Sequence, residues 1–159
     1  MGLRRLAVAA LWLGVLGGCG AVVDESTGPS AAQAPLTLAD LAHRRWVLQT
    51  INDEPVASKS LGTYDKGIAP ELDFGETPHV AGFAGCNRYR GNAQLSEAGE
   101  FQVARLATTM MMCPQAAMAL EKRFTALLET GARLTIEGQY LSLTHNDERW
   151  LFRIADWVQ

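Results

Sequence analysis

The chain has few of the side chains on which enzyme and nucleic-acid sites depend. Its 159 residues include three histidines and three cysteines, and 17 acidic residues outnumber 14 basic ones. A net charge of -3 with scattered lysines and arginines gives no global field to hold an anionic polymer, so no nucleic-acid partner is expected. The patterns Gly-x-Ser-x-Gly and Ser-x-x-Lys are missing, and the carboxylates are dispersed through turns. Serine-hydrolase chemistry and paired-carboxylate catalysis therefore have no starting point in this sequence.

The apolar run near the amino terminus is too short to span a bilayer and has the features of an export signal. Arg4 and Arg5 form a positive region ahead of the apolar residues 6–15. The tetrad Leu-Gly-Gly-Cys at residues 16–19 resembles the bacterial lipobox. The resemblance implies that the Cys19 sulfur receives a diacylglyceryl group, that the chain is cut before it, and that the new amine is acylated with fatty acids such as palmitate.

This interpretation divides the chain into three parts. Residues 1–18 are the lipoprotein signal peptide, residues 19–35 a lipidated flexible tether rich in Ala, Ser, Gly and Pro, and residues 36–159 the folded domain. The membrane is then a partner through the lipid on Cys19, since several acyl chains hold a protein at a bilayer. By similarity to bacterial sorting rules, Gly20 in place of Asp favours an outer-membrane lipoprotein that faces the periplasm.

Beyond residue 36 the sequence predicts short antiparallel strands interrupted by one helix. The helical segment, "PQAAMALEKRFTALLETG" at residues 114–131, starts with a proline suited to a first helical turn and ends with a glycine suited to a C-cap. Five of its apolar residues fall on one stripe of a 3.6-residue period: Ala117, Leu120, Phe124, Leu127 and Leu128. We therefore expect a mainly β fold, a small antiparallel β-barrel or half-barrel with one amphipathic helix, a flat sheet covered by the helix being the alternative.

The number of cysteines predicts a disulfide. Lipid on Cys19 leaves Cys86 and Cys113, and two thiols in a small exported domain usually pair. Such a bridge would join the stretch "GFAGC" to the start of the helix, and on the chain-entropy description it stabilises the fold by about 3 to 4 kcal/mol.

At the same residues the sequence resembles the META domain family, whose bacterial members include HslJ-like lipoproteins. The motifs are "GFAGCNRYRG" at residues 82–91, "LATTMMMCP" at residues 106–114, the following "LEKRF" and the late "YLSL", and the resemblance covers about residues 40–155. It implies a small β-barrel with a helix in an envelope or secreted protein connected with stress tolerance. It implies no reaction.

For individual motif residues we expect structural roles. Gly82, Gly85 and Gly91 are predicted to allow close backbone geometry, Asn87 to hydrogen-bond nearby backbone, and Tyr89 to be a half-buried sheet residue.

The run Met110 to Met112 has two interpretations. Thioethers and a thiolate suit Cu(I), but methionine is a frequent filler of core gaps, and we expect core packing. A cysteine and histidine pair, using Cys86 or Cys113 with one of three histidines, is a further hypothesis that the predicted disulfide makes unnecessary. The charges of "LEKRF" are expected on the solvated side of the helix.

The sequence thus predicts a lipid-anchored, non-enzymatic module of the bacterial envelope. We expect it to be a monomer without catalytic residues, cofactor or metal, and to bind a protein, a cell-wall component or a small apolar ligand. The alternative is a redox-active or copper-handling protein that uses Cys86, Cys113 and the run Met110 to Met112.

Overall fold

The computed structural model describes residues 35–56 and 69–155. The predicted signal peptide, Cys19 and nearly all of the predicted tether lie outside these ranges. None of the described helices is both long and apolar enough to cross a membrane. The elements, in chain order, are a 3-10 turn (Leu38–Asp40), strands β1 (Arg44–Ile51), β2 (Glu54–Pro55), β3 (Glu71–Phe74), β4 (His79–Phe83), β5 (Arg88–Leu95) and β6 (Glu100–Thr108), helix α1 (Gln115–Thr130), and strands β7 (Ala132–Glu137), β8 (Tyr140–His145) and β9 (Glu148–Ile154).

Eight of the strands form a closed antiparallel barrel. Strands β1 and β3 to β9 pair with their neighbours in that order, and β9 returns to pair with β1, where Trp46 lies opposite Ile154. The short strand β2 pairs with Thr50 and Ile51 at the end of β1, beyond the stretch of β1 that pairs with β3. Closure removes the free edges that an open sheet would expose. The predicted barrel with one helix is confirmed, and the alternative of a flat sheet is wrong.

The barrel interior and the apolar stripe of α1 form one core. Buried residues alternate with more exposed ones along much of β3, β4, β7, β8 and β9 and in the first half of β6, as the period of two requires, and all five predicted stripe residues of α1 are buried. Phe124 lies at the centre of the contact, with its ring 5.7 Å from Tyr89, 5.6 Å from Trp150 and 6.1 Å from Phe152. Aromatic pairs at such distances add to the stability that burial provides, so the helix is part of the core rather than an appended cover.

Close backbone approach explains two of the motif glycines. A Cβ at Gly82 would overlap the carbonyl oxygen of Glu71, and a Cβ at Gly91 would overlap the side chain of Val103. The prediction that these positions need glycine for geometric reasons is confirmed. Tyr89, between them, was expected to be half-buried but is 3% exposed, and its hydroxyl donates to the same Glu71 carbonyl at 2.8 Å. Burial raises the pKa of Tyr89 well above its ordinary value.

Candidate functional site

The run of methionines lies on the surface, in a loop between β6 and α1. We call residues 109–113 the methionine loop. Met110, Met111 and Met112 are 97%, 59% and 84% exposed, and none of them lies in a strand. The prediction that these residues fill the core is therefore wrong. Strand β6 ends at Thr108 and α1 begins at Gln115, so the loop connects the barrel to the helix.

The side chain of Asn87 holds this loop in place through hydrogen bonds. It is 4% exposed, and its Oδ1 accepts from the Met111 backbone N–H at 2.6 Å and from the Thr109 hydroxyl at 2.9 Å. Its Nδ2 donates to the Met111 carbonyl oxygen at 3.3 Å. One amide side chain thus pairs with both backbone groups of Met111, as a neighbouring strand would. We had expected Asn87 to bond nearby backbone, but its partner lies 24 residues further along the chain.

Glu121 of α1 completes the same network. One carboxylate oxygen accepts from the Asn87 backbone N–H at 2.6 Å, and the other accepts from Asn87 Nδ2 at 3.2 Å. The expected solvated position is correct for Lys122 and Arg123, which are exposed, but wrong for Glu121, which is partly buried. Since hydrogen bonds to an ionised partner are stronger than those between neutral groups, Glu121 fixes Asn87 relative to the helix.

The disulfide holds the carboxyl-terminal end of the methionine loop. Cys86 and Cys113 are bonded to each other, which confirms the predicted pairing. Cys86 is buried, and Cys113 packs against the core at the last position of the loop. Because each sulfur is bonded to the other, neither cysteine offers a thiolate to a metal or a substrate in this state.

These contacts give the loop a fixed backbone and free side chains. Asn87 holds its centre, the disulfide holds its end, and the thioethers of Met110 and Met112 project into solvent. Met118, in the first turn of α1, adds another exposed methionine, at 41%. No cluster of three or more His, Cys, Asp or Glu side chains with metal-binding geometry occurs within residues 35–56 and 69–155. The arrangement is therefore suited to contact with an apolar surface.

Sequence reasoning missed the connection between Asn87 and the loop. The two motifs that carry the family resemblance meet here: "GCN" supplies Asn87 and Cys86, and "TTMMMC" supplies Thr109, Met111 and Cys113. Their joint presence was a signal that the two segments depend on each other. Nothing in the local pattern of either segment indicates which of its residues would be in contact.

The chain is similar to known proteins over most of its length. The model of the META domain family matches residues 39–157. The heat shock protein HslJ of Escherichia coli strain K12 is 33% identical over 122 residues, which cover 76% of this chain and 81% of that protein. A protein structure solved by NMR matches 78% of this chain and 99% of its own, with a TM-score of 0.63 and 32% identity. A second NMR structure, from Burkholderia xenovorans, has a TM-score of 0.59 at 22% identity over 80% of this chain and 94% of its own, and it shows the fold alone.

Proposed function

The chain belongs to the META domain family, and from that premise we propose that it is a lipid-anchored, non-enzymatic protein of the bacterial envelope. In this proposal the methionine loop binds apolar segments of envelope proteins that unfold under stress. The observation that carries it is the exposure of three consecutive methionines on a loop whose backbone is fixed by Asn87 and a disulfide.

Physical chemistry connects such a loop with binding of varied apolar partners. Methionine side chains are unbranched and polarisable, so they adapt to differently shaped surfaces, and they are common at binding surfaces that accept many partners. A backbone that is ordered before binding lowers the entropy lost on association. Exposed apolar side chains that adjoin one another, unlike isolated ones, are an indication of an interaction site.

The family and the amino-terminal sequence support the rest of the proposal. The relative named heat shock protein HslJ supports a stress-related role in a bacterium. The tetrad at residues 16–19 supports a lipid anchor. The disulfide between Cys86 and Cys113 fits an oxidising compartment such as the periplasm. Both features favour the bacterial envelope, and Gly20 in place of Asp favours the outer membrane, with the domain facing the periplasm.

Replacing Cys19 by serine tests the anchor. We expect Cys19→Ser to abolish labelling of the full chain by a fatty-acid analogue in living bacteria and to block lipoprotein-type processing, because no other residue is proposed as the acceptor. Wild-type chain expressed in parallel is the control. Unchanged labelling of the variant would remove the anchor from the account and leave the loop proposal standing.

Replacing two methionines by serine tests the loop. A domain of residues 35–159 should slow the heat aggregation of an unrelated client protein, and the double variant Met110→Ser, Met112→Ser should lose most of this effect while its melting temperature stays within a few degrees of wild type. The change removes apolar surface that is exposed, so the core is untouched. Aggregation is followed by light scattering, and folding by circular dichroism.

The matched control is Tyr140→Ser, which removes another exposed large side chain, on β8. It should leave the protection of the client unchanged. Equal protection by wild type and by the double methionine variant would refute the loop as the binding surface. Equal loss in the Tyr140→Ser variant would refute it as well, since the effect would then follow general surface polarity.

A further inference from the structure

The outer face of strands β4, β5 and β6 carries two adjoining open cavities. Their volumes are about 420 and 380 Å3, and they share Ala81 and Arg90. The first extends towards Arg88 and Thr109, and the second towards His79, Asn92 and Arg105. We call this surface the arginine groove, after Arg88, Arg90 and Arg105.

Pairing across the sheet explains why the groove is open. Arg90 lies directly opposite Ala81 on β4 and Ala107 on β6. Alanine on both sides leaves space around the guanidinium group. Arg88 lies two residues before Arg90 on β5, so both side chains stand on the same face, roughly 7 Å apart along the strand.

Arg105 reaches the groove through an irregularity in β6. The pairing between β5 and β6 shifts register between Arg90 and Asn92, and Arg105 there has a φ of 55°. This left-handed conformation is unfavourable for arginine, and a bulge turns a side chain to a new direction. The other non-glycine residues with positive φ in the described part of the chain all lie in turns. Among the non-glycine residues of the described ranges, only Arg105 has a positive φ within a strand, and such backbone strain favours a functional role for this residue.

Burial raises the pKa of Glu71 and the positive charge of nearby Arg88 opposes that rise, so the charge of the three groove arginines is only partly balanced. No described carboxylate forms an ion pair with any of them. Glu71, the partly buried carboxylate near this face, is paired with Arg45 at 3.5 Å, and Asp73 lies opposite Ala81 at the β3 side. Arginines therefore outnumber carboxylates on this face, although the whole chain has a net charge of -3.

We propose that the arginine groove binds the phosphate groups of anionic lipid headgroups at the membrane surface. The planar, permanently charged guanidinium group matches phosphate oxygens two at a time. Near one end of the groove, the His43 N–H donates to the Gly75 carbonyl oxygen in the segment that leads from β3 to His79 on β4.

The proposed anchor would bring the groove close to such headgroups. It would place the first tether residue, Cys19, in the membrane within roughly 50 Å of the domain. The closeness of the groove to the membrane rests on the proposed function, whereas the affinity of the groove for anionic lipid does not.

Vesicle binding by the domain of residues 35–159 tests the proposal. All of the described core lies in these residues, which belong to one compact unit, and a solved relative at 32% identity matches 78% of this chain over 99% of its own, so we expect the domain to fold on its own. The domain should sediment with vesicles of phosphatidylcholine and phosphatidylglycerol, not with phosphatidylcholine alone. Added salt should release it. Each single removal of a groove arginine should lower the partition coefficient about fivefold.

Two variants separate the groove from the fold. Arg105→Gly removes the charge while suiting the left-handed backbone, so the vesicle affinity should fall while the melting temperature stays equal or rises. Arg90→Gln should weaken binding similarly. The control Arg153→Gln removes an exposed arginine on β9, outside the groove, and should leave binding unchanged.

Several results would overturn the proposal. These are equal binding to both vesicle types, an equal loss in the Arg153→Gln variant, or full binding by Arg105→Gly and Arg90→Gln. Release by low concentrations of free glycerol phosphate would identify a soluble phosphate compound as the ligand and would also overturn it. The Met110→Ser, Met112→Ser variant should bind vesicles normally, so failure of the groove and failure of the methionine loop give different results.

Discussion

Loss of the disulfide between Cys86 and Cys113 should lower the melting temperature of the domain by more than about 10 °C. The bond closes a loop across a sequence separation of 27 residues. On the chain-entropy description such a closure stabilises the fold by about 3.5 kcal/mol, and a domain of this size loses several degrees per kcal/mol. Either reductant or the double variant Cys86→Ala, Cys113→Ala should produce this loss, because the open chain gains conformational freedom when it unfolds.

Reductant added to the double alanine variant is the control for this experiment, and it should have no effect. The strand-rich circular dichroism spectrum should persist below the transition, since the core of the barrel does not depend on the bond. Unchanged melting of wild-type domain whose thiols are shown by titration to be fully reduced would contradict the assigned role. A peptide map with two free thiols in protein recovered from the envelope would do so too, and would restore the redox and copper hypotheses.

Replacing Asn87 by alanine should cost about 3 kcal/mol in the free energy of unfolding. The side chain makes five hydrogen bonds, four to Met111, Thr109 and Glu121 and a weak one to the Cys86 sulfur. Each contributes about 0.5–1.5 kcal/mol, and partners left buried without a hydrogen bond add a desolvation cost. Urea denaturation measures the loss, which should be accompanied by faster proteolysis within residues 109–113. Asn92→Ala, which removes one exposed hydrogen bond to His79, is the control and should change stability by less than about 0.5 kcal/mol.

An isosteric change gives a sharper version of this experiment. Asn87→Asp keeps the oxygen that Met111 N–H and Thr109 use, but sets a second oxygen against the Glu121 carboxylate and the Met111 carbonyl. Burial beside a like charge raises the pKa of the new carboxyl in the folded state above its unfolded value. The folded state then binds the proton more tightly, so the penalty of the variant should be small in acid and grow as the pH rises from about 4 to 7. Adding Glu121→Gln should recover part of the loss at pH 7, and the absence of any recovery would contradict the arrangement.

The fold was predictable because local signals determine it. Alternating apolar residues in the strands and the five-residue apolar stripe of α1 indicate which positions are buried, because burial follows from side-chain chemistry. Turn residues between these segments indicate where the strands end. The disulfide was predictable for a different reason, since only two cysteines remained once Cys19 was assigned to lipid. The closure of β9 onto β1 was only one of the expected possibilities, because it depends on twist and strand number rather than on any single segment.

The candidate sites were less predictable because they depend on pairings between distant residues. Methionine is apolar, so burial was the natural expectation for Met110 and Met112, but the contacts that hold their loop on the surface come from distant residues, Asn87 and Cys86. Asn87 has no local feature that distinguishes it from a turn residue. Its role appears only once Met111 lies above it and Glu121 beside it.

Scattered charge along the sequence hid the arginine groove in the same way. Arg88 and Arg90 alternate with apolar or small residues on β5, an arrangement common on exposed sheet faces. Arg105 joins them only because of the bulge in β6, whose left-handed residue is not glycine and therefore left no sign in the sequence. Net charge predicts the field of a whole protein, but not that of one face.

Amide hydrogen exchange at Met111 tests the central claim most directly, namely that the methionine loop is an exposed surface on a fixed backbone. The Met111 side chain is 59% exposed, yet its N–H donates to the buried Asn87 Oδ1 at 2.6 Å. NMR of the wild-type domain should therefore show slow exchange at Met111, with protection approaching that of the barrel strands and lost in the Asn87→Ala variant. Exchange at Met111 as fast as in an unstructured peptide, in wild-type protein with its disulfide intact, would contradict the account.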